Sequence, residues 1–212
     1  MNPRLLPLAA TVLIFIVAYA VCYVQFPAML STRVIGNLLT DNAFLGIAAV
    51  GMTFVIISGG IDLSVGSVIA FTGVFIAVML RDTSLHPLAV FALLLGLTTL
   101  FGAAMGMIIH VLRMPPFIVT LAGMFLARGL AYILSVDSVP ISHPFYEWMQ
   151  SLYWLLPGKG RLTLIGGLML VVFAFGILLA HRTRFGANVF ALGGGVQTAR
   201  LMGVPVARTT VA

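Results

Sequence analysis

The sequence is poor in the residues from which soluble enzymes build their sites. Only 8% of its 212 residues are charged, against roughly a quarter in an ordinary soluble domain. The single cysteine, Cys22, has no partner for an intrachain disulfide and reads as a small core or lipid-facing residue. The four histidines, His86, His110, His143 and His181, are too far apart for a metal-ligand spacing, so no metal site is expected. There is no Walker A motif: Gly158-Lys159-Gly160 lacks both the upstream glycine and the Ser/Thr. The Ser58-Gly59-Gly60 echo of an ATPase signature is coincidence without one. No nucleophile–base pair, metal cluster or paired acids stand out, which argues against a membrane enzyme. No cofactor is implied.

What the chain has is apolar length. Sixty-one per cent of its residues are apolar and mean hydropathy is +1.17. The net charge of +6 could suggest nucleic acid, but the arginines stand at the ends of apolar runs, where they orient a membrane protein instead. Six apolar spans are expected, at 5–26, 43–58, 63–80, 88–112, 117–135 and 162–180. The first is too long for a signal h-region and lacks an A-x-A cleavage site, so it is read as an uncleaved helix. The fold class is therefore an all-α polytopic membrane protein. With a cytoplasmic N-terminus, Arg4, Arg113, Arg182, Arg184, Arg200 and Arg208 fall inside. Arg33, Arg81, Lys159 and Arg161 fall outside, with Asp41, Asp82, Asp137 and Glu147. That is a modest positive-inside bias. The long external connection, 136–161, interleaves prolines with Phe145, Tyr146, Trp148, Tyr153 and Trp154. It suits a short interfacial helix, as a membrane-surface loop or as a docking surface for an external partner.

Between the second and third spans the chain breaks at 59–67, where Gly59, Gly60, Asp62, Ser64 and Ser67 are found. The run before it barely reaches the ~20 residues that cross a bilayer, so the break falls inside or at the edge of the membrane. Unpaired backbone at that depth must be covered by protein or line a wet cavity. Transport proteins build substrate paths in this way. Two readings stand: Asp62 or Ser64 caps the next helix, or the break lines a path and Asp62 bonds hydroxyl groups there. Arg128, twelve residues after Pro116, lies ~18 Å along its helix. It snorkels, pairs with an acid such as Asp62, or lines the path. Gly102 and Gly106 form a GxxxG, whose default role is internal helix packing and whose alternative is subunit association.

After the last span the chain becomes less apolar and is interrupted by Gly193-Gly194-Gly195. Residues 196–202 are expected to form a two-turn helix on a glycine hinge, with Gly203 at C′ and Pro205 preventing continuation. It is a contact element for a cytosolic partner or a tail lying on the membrane.

Three segments carry a family resemblance: 48–67 (AAVGMTFVIISGGIDLSVGS), 116–124 (PFIVTLAGM) followed by Arg128-Gly129, and 191–194 (ALGG) leading to 199–204 (ARLMGV). In this order and spacing the chain resembles the permease subunits of bacterial sugar ABC importers, the ribose, xylose, autoinducer-2 and galactofuranose group. Its overall wording is most similar to the second permease of galactofuranose importers. The resemblance implies a multi-pass protein of the bacterial inner membrane that moves a monosaccharide into the cytoplasm by alternating access. It also implies a second permease (identical or homologous), ABC ATPase subunits and a periplasmic sugar-binding protein as partners, besides the lipid bilayer, and no nucleic acid. ATP would be hydrolysed on the separate subunit. The segment bearing Gly193, Gly194, Ala199, Arg200, Leu201, Met202 and Gly203 would be the coupling element that docks on the ATPase.

On this reading residues 1–180 form the transmembrane part and 181–212 the coupling segment. There are two departures from the family. Gly195 stands where the family usually has Asn. Family members also continue for further spans, so the chain is expected to correspond to the N-terminal part of a permease. The rival expectations are a non-transporting remnant and an ATP-independent secondary transporter. The latter would need a proton relay, for which Asp62 and Arg128 alone are thin material.

Overall fold

The computed structural model describes residues 6–158 and 160–211, so the expectations placed on Arg4, Leu5 and Lys159 lie outside the described residues. Eleven α-helices and one hairpin follow in order among them: α1 Leu6–Gln25, α2 Thr32–Asp41, α3 Ala43–Ile57, α4 Val65–Asp82, α5 Pro87–Leu112, α6 Pro116–Leu134, α7 Pro144–Ser151, β1 Tyr153–Leu156, β2 Gly160–Thr163, α8 Leu164–Arg182, α9 Arg184–Gly194, α10 Val196–Leu201 and α11 Val206–Val211. The long helices are apolar on every face, as helices in lipid are. Two of them start on proline, which fits N1 because its φ is already helical and its missing N–H has no partner there. Pro87 opens α5 behind His86, whose Nδ1 accepts from the Leu88 N–H at 3.3 Å. Pro116 opens α6.

By length and composition, α4, α5, α6 and α8 can each cross a membrane, and α2 with α3, counted together across the break at Asn42, make a fifth. Six spans were expected. The remaining one, the first expected run at 5–26, is α1, an apolar helix of 20 residues. The second expected run, 43–58, is α3 with α2 ahead of it.

The chain divides into two compact units, Met1–Phe44 with Gln150–Leu170, and Leu45–Met149 with Val171–Ala212. In the first, α2 lies on β2 so closely that a Cβ on Gly36 would collide with the Arg161 carbonyl oxygen. Thr40 and Thr163 share a hydroxyl–hydroxyl bond of 2.8 Å. The antiparallel hairpin pairs Tyr153 with Thr163 and Leu156 with Gly160, turning through Gly158 at φ 84°. It is an addition to the expected all-α fold.

In the second unit, α4, α5 and α6 pack around Phe71, Leu94 and Ala131. The interfacial helix expected in the external connection is α7, whose Phe145 and Tyr146 meet Phe91 of α5 edge-on. The Tyr146 hydroxyl is buried and has no hydrogen-bond partner among the described residues, and that burial pushes its pKa above the ordinary value. At the other end of α5, a Cβ on Gly106 would sit 3.0 Å from the Thr210 carbonyl oxygen. One glycine of the GxxxG thus admits α11 to α5, internal packing as its default reading has it.

Candidate functional site

The break between α3 and α4 is a built structure. Gly59 takes φ 82°, a left-handed value that a Cβ would strain. The Gly60 N–H bonds the Val55 carbonyl at 2.9 Å and the Gly59 N–H bonds that of Ile56 at 3.0 Å. This pair of bonds is a Schellman motif, which satisfies the carbonyls left over at the helix end. Asp62 then starts the next helix: its Oδ1 accepts from the Ser64 N–H at 2.8 Å and from the Ser64 hydroxyl at 2.6 Å. Ser64 is 1% exposed and occupies the N-cap position, but makes no capping bond with its own side chain. Asp62 supplies the side-chain oxygen instead.

A residue outside the expected set ties the break down. Thr120, on α6 and 4% exposed, shares its hydroxyl proton between the Pro116 carbonyl of its own helix at 2.9 Å and the Ile61 carbonyl at 3.2 Å. Replacing it with the isosteric valine (Thr120→Val) is expected to cost about 1 kcal/mol of stability, the usual net worth of such a bond. A thermal melt of the detergent-purified protein with an unshifted midpoint would show that the tie carries nothing.

Beside the break lies a cavity of about 1100 Å³. Ser58, Gly59, Gly60 and Asp62 form one wall, Thr99 and His110 of α5 another, with Arg113 and Thr120 following. Val196 and Arg200 of α10 and Thr209 and Thr210 of α11 complete it. The wall thus mixes an acceptor-only carboxylate, donor-only guanidinium groups and several hydroxyls. These polar groups stand among mostly apolar lining residues.

The expected residues divide. Gly59, Gly60, Asp62 and Arg200 come together on the cavity, whereas Ser64, Ser67 and Arg128 are absent from its wall. Arg128 is exposed on α6, and no ion pair joins it to Asp62. Among the described residues the ion pair present links the neighbours Arg81 and Asp82. Axial distance explains the difference: Arg128 lies about 12 Å further along α6 than Thr120, past the break that Thr120 meets.

The C-terminal segment also differs from its expected outline. Gly193 and Gly194 are inside α9, so the chain does not hinge there. Gly193 permits close contact instead: a Cβ on it would collide with the carbonyl oxygen of Ile57, the last residue of α3. The chain breaks at Gly195 alone, whose φ of 150° disfavours any side chain. The asparagine usual in the family would be strained at this N-cap. Helix α10 ends as expected, with Gly203 at φ 79° and a second Schellman pair, Val204 N–H to Ala199 and Gly203 N–H to Arg200. Pro205 stops α10, but α11 starts directly after it. Ala199 is buried with Leu192 and Val206, which leaves Leu201 90% and Met202 73% exposed.

The arrangement is that of a multi-pass membrane protein with a broken helix, a cavity beside it and a short helix, α10, that leaves Leu201 and Met202 exposed. Residues 34–212 match the family described as the permease component of branched-chain amino acid transport systems, and the chain belongs to that family. It is 57% identical over its full length to the inner membrane ABC transporter permease protein YjfF of Escherichia coli K12, covering 64% of that protein. It is 36% identical to the fructose import permease protein FruG of Bifidobacterium longum, with 99% of this chain and 63% of FruG aligned. It is also 36% identical to the ribose import permease protein RbsC of Escherichia coli K12, with 80% of this chain and 53% of RbsC aligned. The chain thus spans between half and two thirds of the length of these relatives. No solved structure matches it. It is a multi-pass inner-membrane protein of this permease family.

Proposed function

We propose that the chain serves as a membrane subunit of an ATP-driven monosaccharide importer and that the cavity beside the break is the cytoplasmic end of the sugar path. The observation that carries this reading is that Arg200 of α10 and Asp62 of the break line one cavity. A push on the exposed Leu201 and Met202 therefore acts on a wall of the path itself. The segments bordering the cavity carry Arg113, Arg182, Arg184, Arg200 and Arg208, which the positive-inside rule assigns to the cytoplasm.

On this reading α10 docks on an ABC ATPase subunit, a second permease, identical or homologous, completes the path, and a periplasmic protein delivers the sugar. The relatives named for fructose and ribose support a monosaccharide, and the resemblance to galactofuranose importers nominates galactofuranose among them. Affinity inside the path is weak, because a site that holds its cargo tightly also releases it slowly. The test is uptake in cells whose partner ATPase binds but cannot hydrolyse ATP. Uptake is expected to fall to background with the membrane potential intact; persistence would point to an ATP-independent carrier.

A further inference from the structure

Five described residues adopt positive φ, and four of them are glycines: Gly59, Gly158, Gly195 and Gly203. The fifth is Arg113, at φ 54° and ψ 34°, directly after the last turn of α5. Glycine or asparagine usually occupies such a left-handed helix end, because a Cβ crowds the backbone there. A long side chain in that conformation is strained, and strain of this kind gathers at functional sites. Nothing local rewards the arginine. Among the described residues its guanidinium has no hydrogen bond or ion pair, and Pro115 and Pro116 already set the entry to α6.

Arg113 does, however, stand in the cavity wall with Asp62 and His110. Its guanidinium is a planar fork of N–H donors that can span two neighbouring oxygens. Asp62 offers the complement. Its Oδ1 serves Ser64, and its second oxygen remains to accept from a hydroxyl.

We propose that Arg113 is a sugar-contacting residue at the cytoplasmic mouth of the path: it donates to adjacent hydroxyl oxygens of the passing monosaccharide while Asp62 accepts from a hydroxyl. Arg113 holds its place in the cavity wall at a position where stability alone would favour glycine. This rests on the permease reading above.

The test is Arg113→Gly in the whole importer, reconstituted in proteoliposomes with its ATPase, partner permease and binding protein. Radiolabelled ribose, L-arabinose, fructose and galactofuranose serve as probes. Melting of the purified complex is expected to stay unchanged or rise, since glycine relieves the strain. ATP hydrolysis should persist, while uptake falls at least tenfold. Arg113→Lys should keep an intermediate rate, because an ammonium donates as a point and not as a fork. Should the glycine variant fail to assemble, Arg113→Gln decides by the same readouts.

Unchanged uptake in an assembled variant, beside an active unsubstituted importer, overturns this inference alone. If the unsubstituted importer moves none of the four sugars, the permease reading falls and this one with it. A loss that the unsubstituted protein reproduces when anionic lipid is left out would make Arg113 a headgroup anchor and also overturn the proposal.

Discussion

Gly193→Ala is expected to cut ATP-driven uptake more than tenfold while leaving the protein in the membrane. The added methyl would meet the Ile57 carbonyl oxygen, a backbone atom that cannot swing aside. Accommodating it means shifting α9 from the end of α3, and overpacking of this kind costs about 1–3 kcal/mol. The site of the shift matters more than its size. Ile57 is the last residue of α3, and Gly193 is two residues before Gly195, from which α10 starts. A displacement there misplaces the break and the coupling helix together. Gly194→Ala is the control. A Cβ on Gly194 meets nothing within 4 Å, and alanine is the better helix former by about 0.5–1 kcal/mol. That variant should transport normally and melt no lower. Equal behaviour of the two variants would remove the contact between α9 and the break from the mechanism.

The second large effect is expected at Asp62, where two substitutions separate two roles. Asp62→Ala removes the oxygen that receives the Ser64 N–H and hydroxyl. It should destabilise the start of α4 by about 0.5–2 kcal/mol, as loss of a helix cap does, and abolish uptake. Asp62→Asn keeps an oxygen for Ser64 but replaces the second acceptor with a donor. It should melt close to the unsubstituted protein and still lose most uptake. An Asn variant with full uptake would reduce Asp62 to a capping residue; an Ala variant with normal assembly and uptake would dismiss both roles.

The helices were legible because lipid demands long unbroken apolar runs, and their ends are punctuated by residues with few alternatives. Pro87 and Pro116 mark starts, and Gly59 and Gly203 mark ends, at or within a few residues of where the structure has them. Helix α2 was harder to see. Its segment, TRVIGNLLTD, mixes polar and apolar residues and does not prolong the apolar run that follows. The hairpin carried only a partial signal: YWLL is apolar and Pro157-Gly158 marks a turn, but GRLT holds one apolar residue. Gly158-Lys159-Gly160 fails as a phosphate loop, and Gly158 serves the turn.

For the candidate site, the sequence marked the break and α10 but not their meeting on one cavity. That proximity depends on close approaches, at Gly193 and at Gly106, which no local pattern encodes. Thr120 stood within one of the family segments, yet only its hydrogen bond to Ile61 shows what it holds. Arg128 looked more important than Arg113 because it is a charge inside an apolar span. Backbone conformation and cavity position single out Arg113 for the test proposed above.

The central claim is that the cavity beside the break opens to the cytoplasm and carries sugar. Cys22 is the one cysteine among these 212 residues, and a cysteine-free background in which it is serine leaves a single reporter thiol. Ser58→Cys puts that thiol in the cavity wall with little change in shape. The measurement is its labelling by a membrane-impermeant maleimide, compared between inside-out and right-side-out vesicles that contain the whole importer. Labelling from the cytoplasmic face, slowed by saturating sugar, is the predicted result. A thiol reached only from the periplasmic face, or labelled at the same rate with and without transported sugar, would contradict the account.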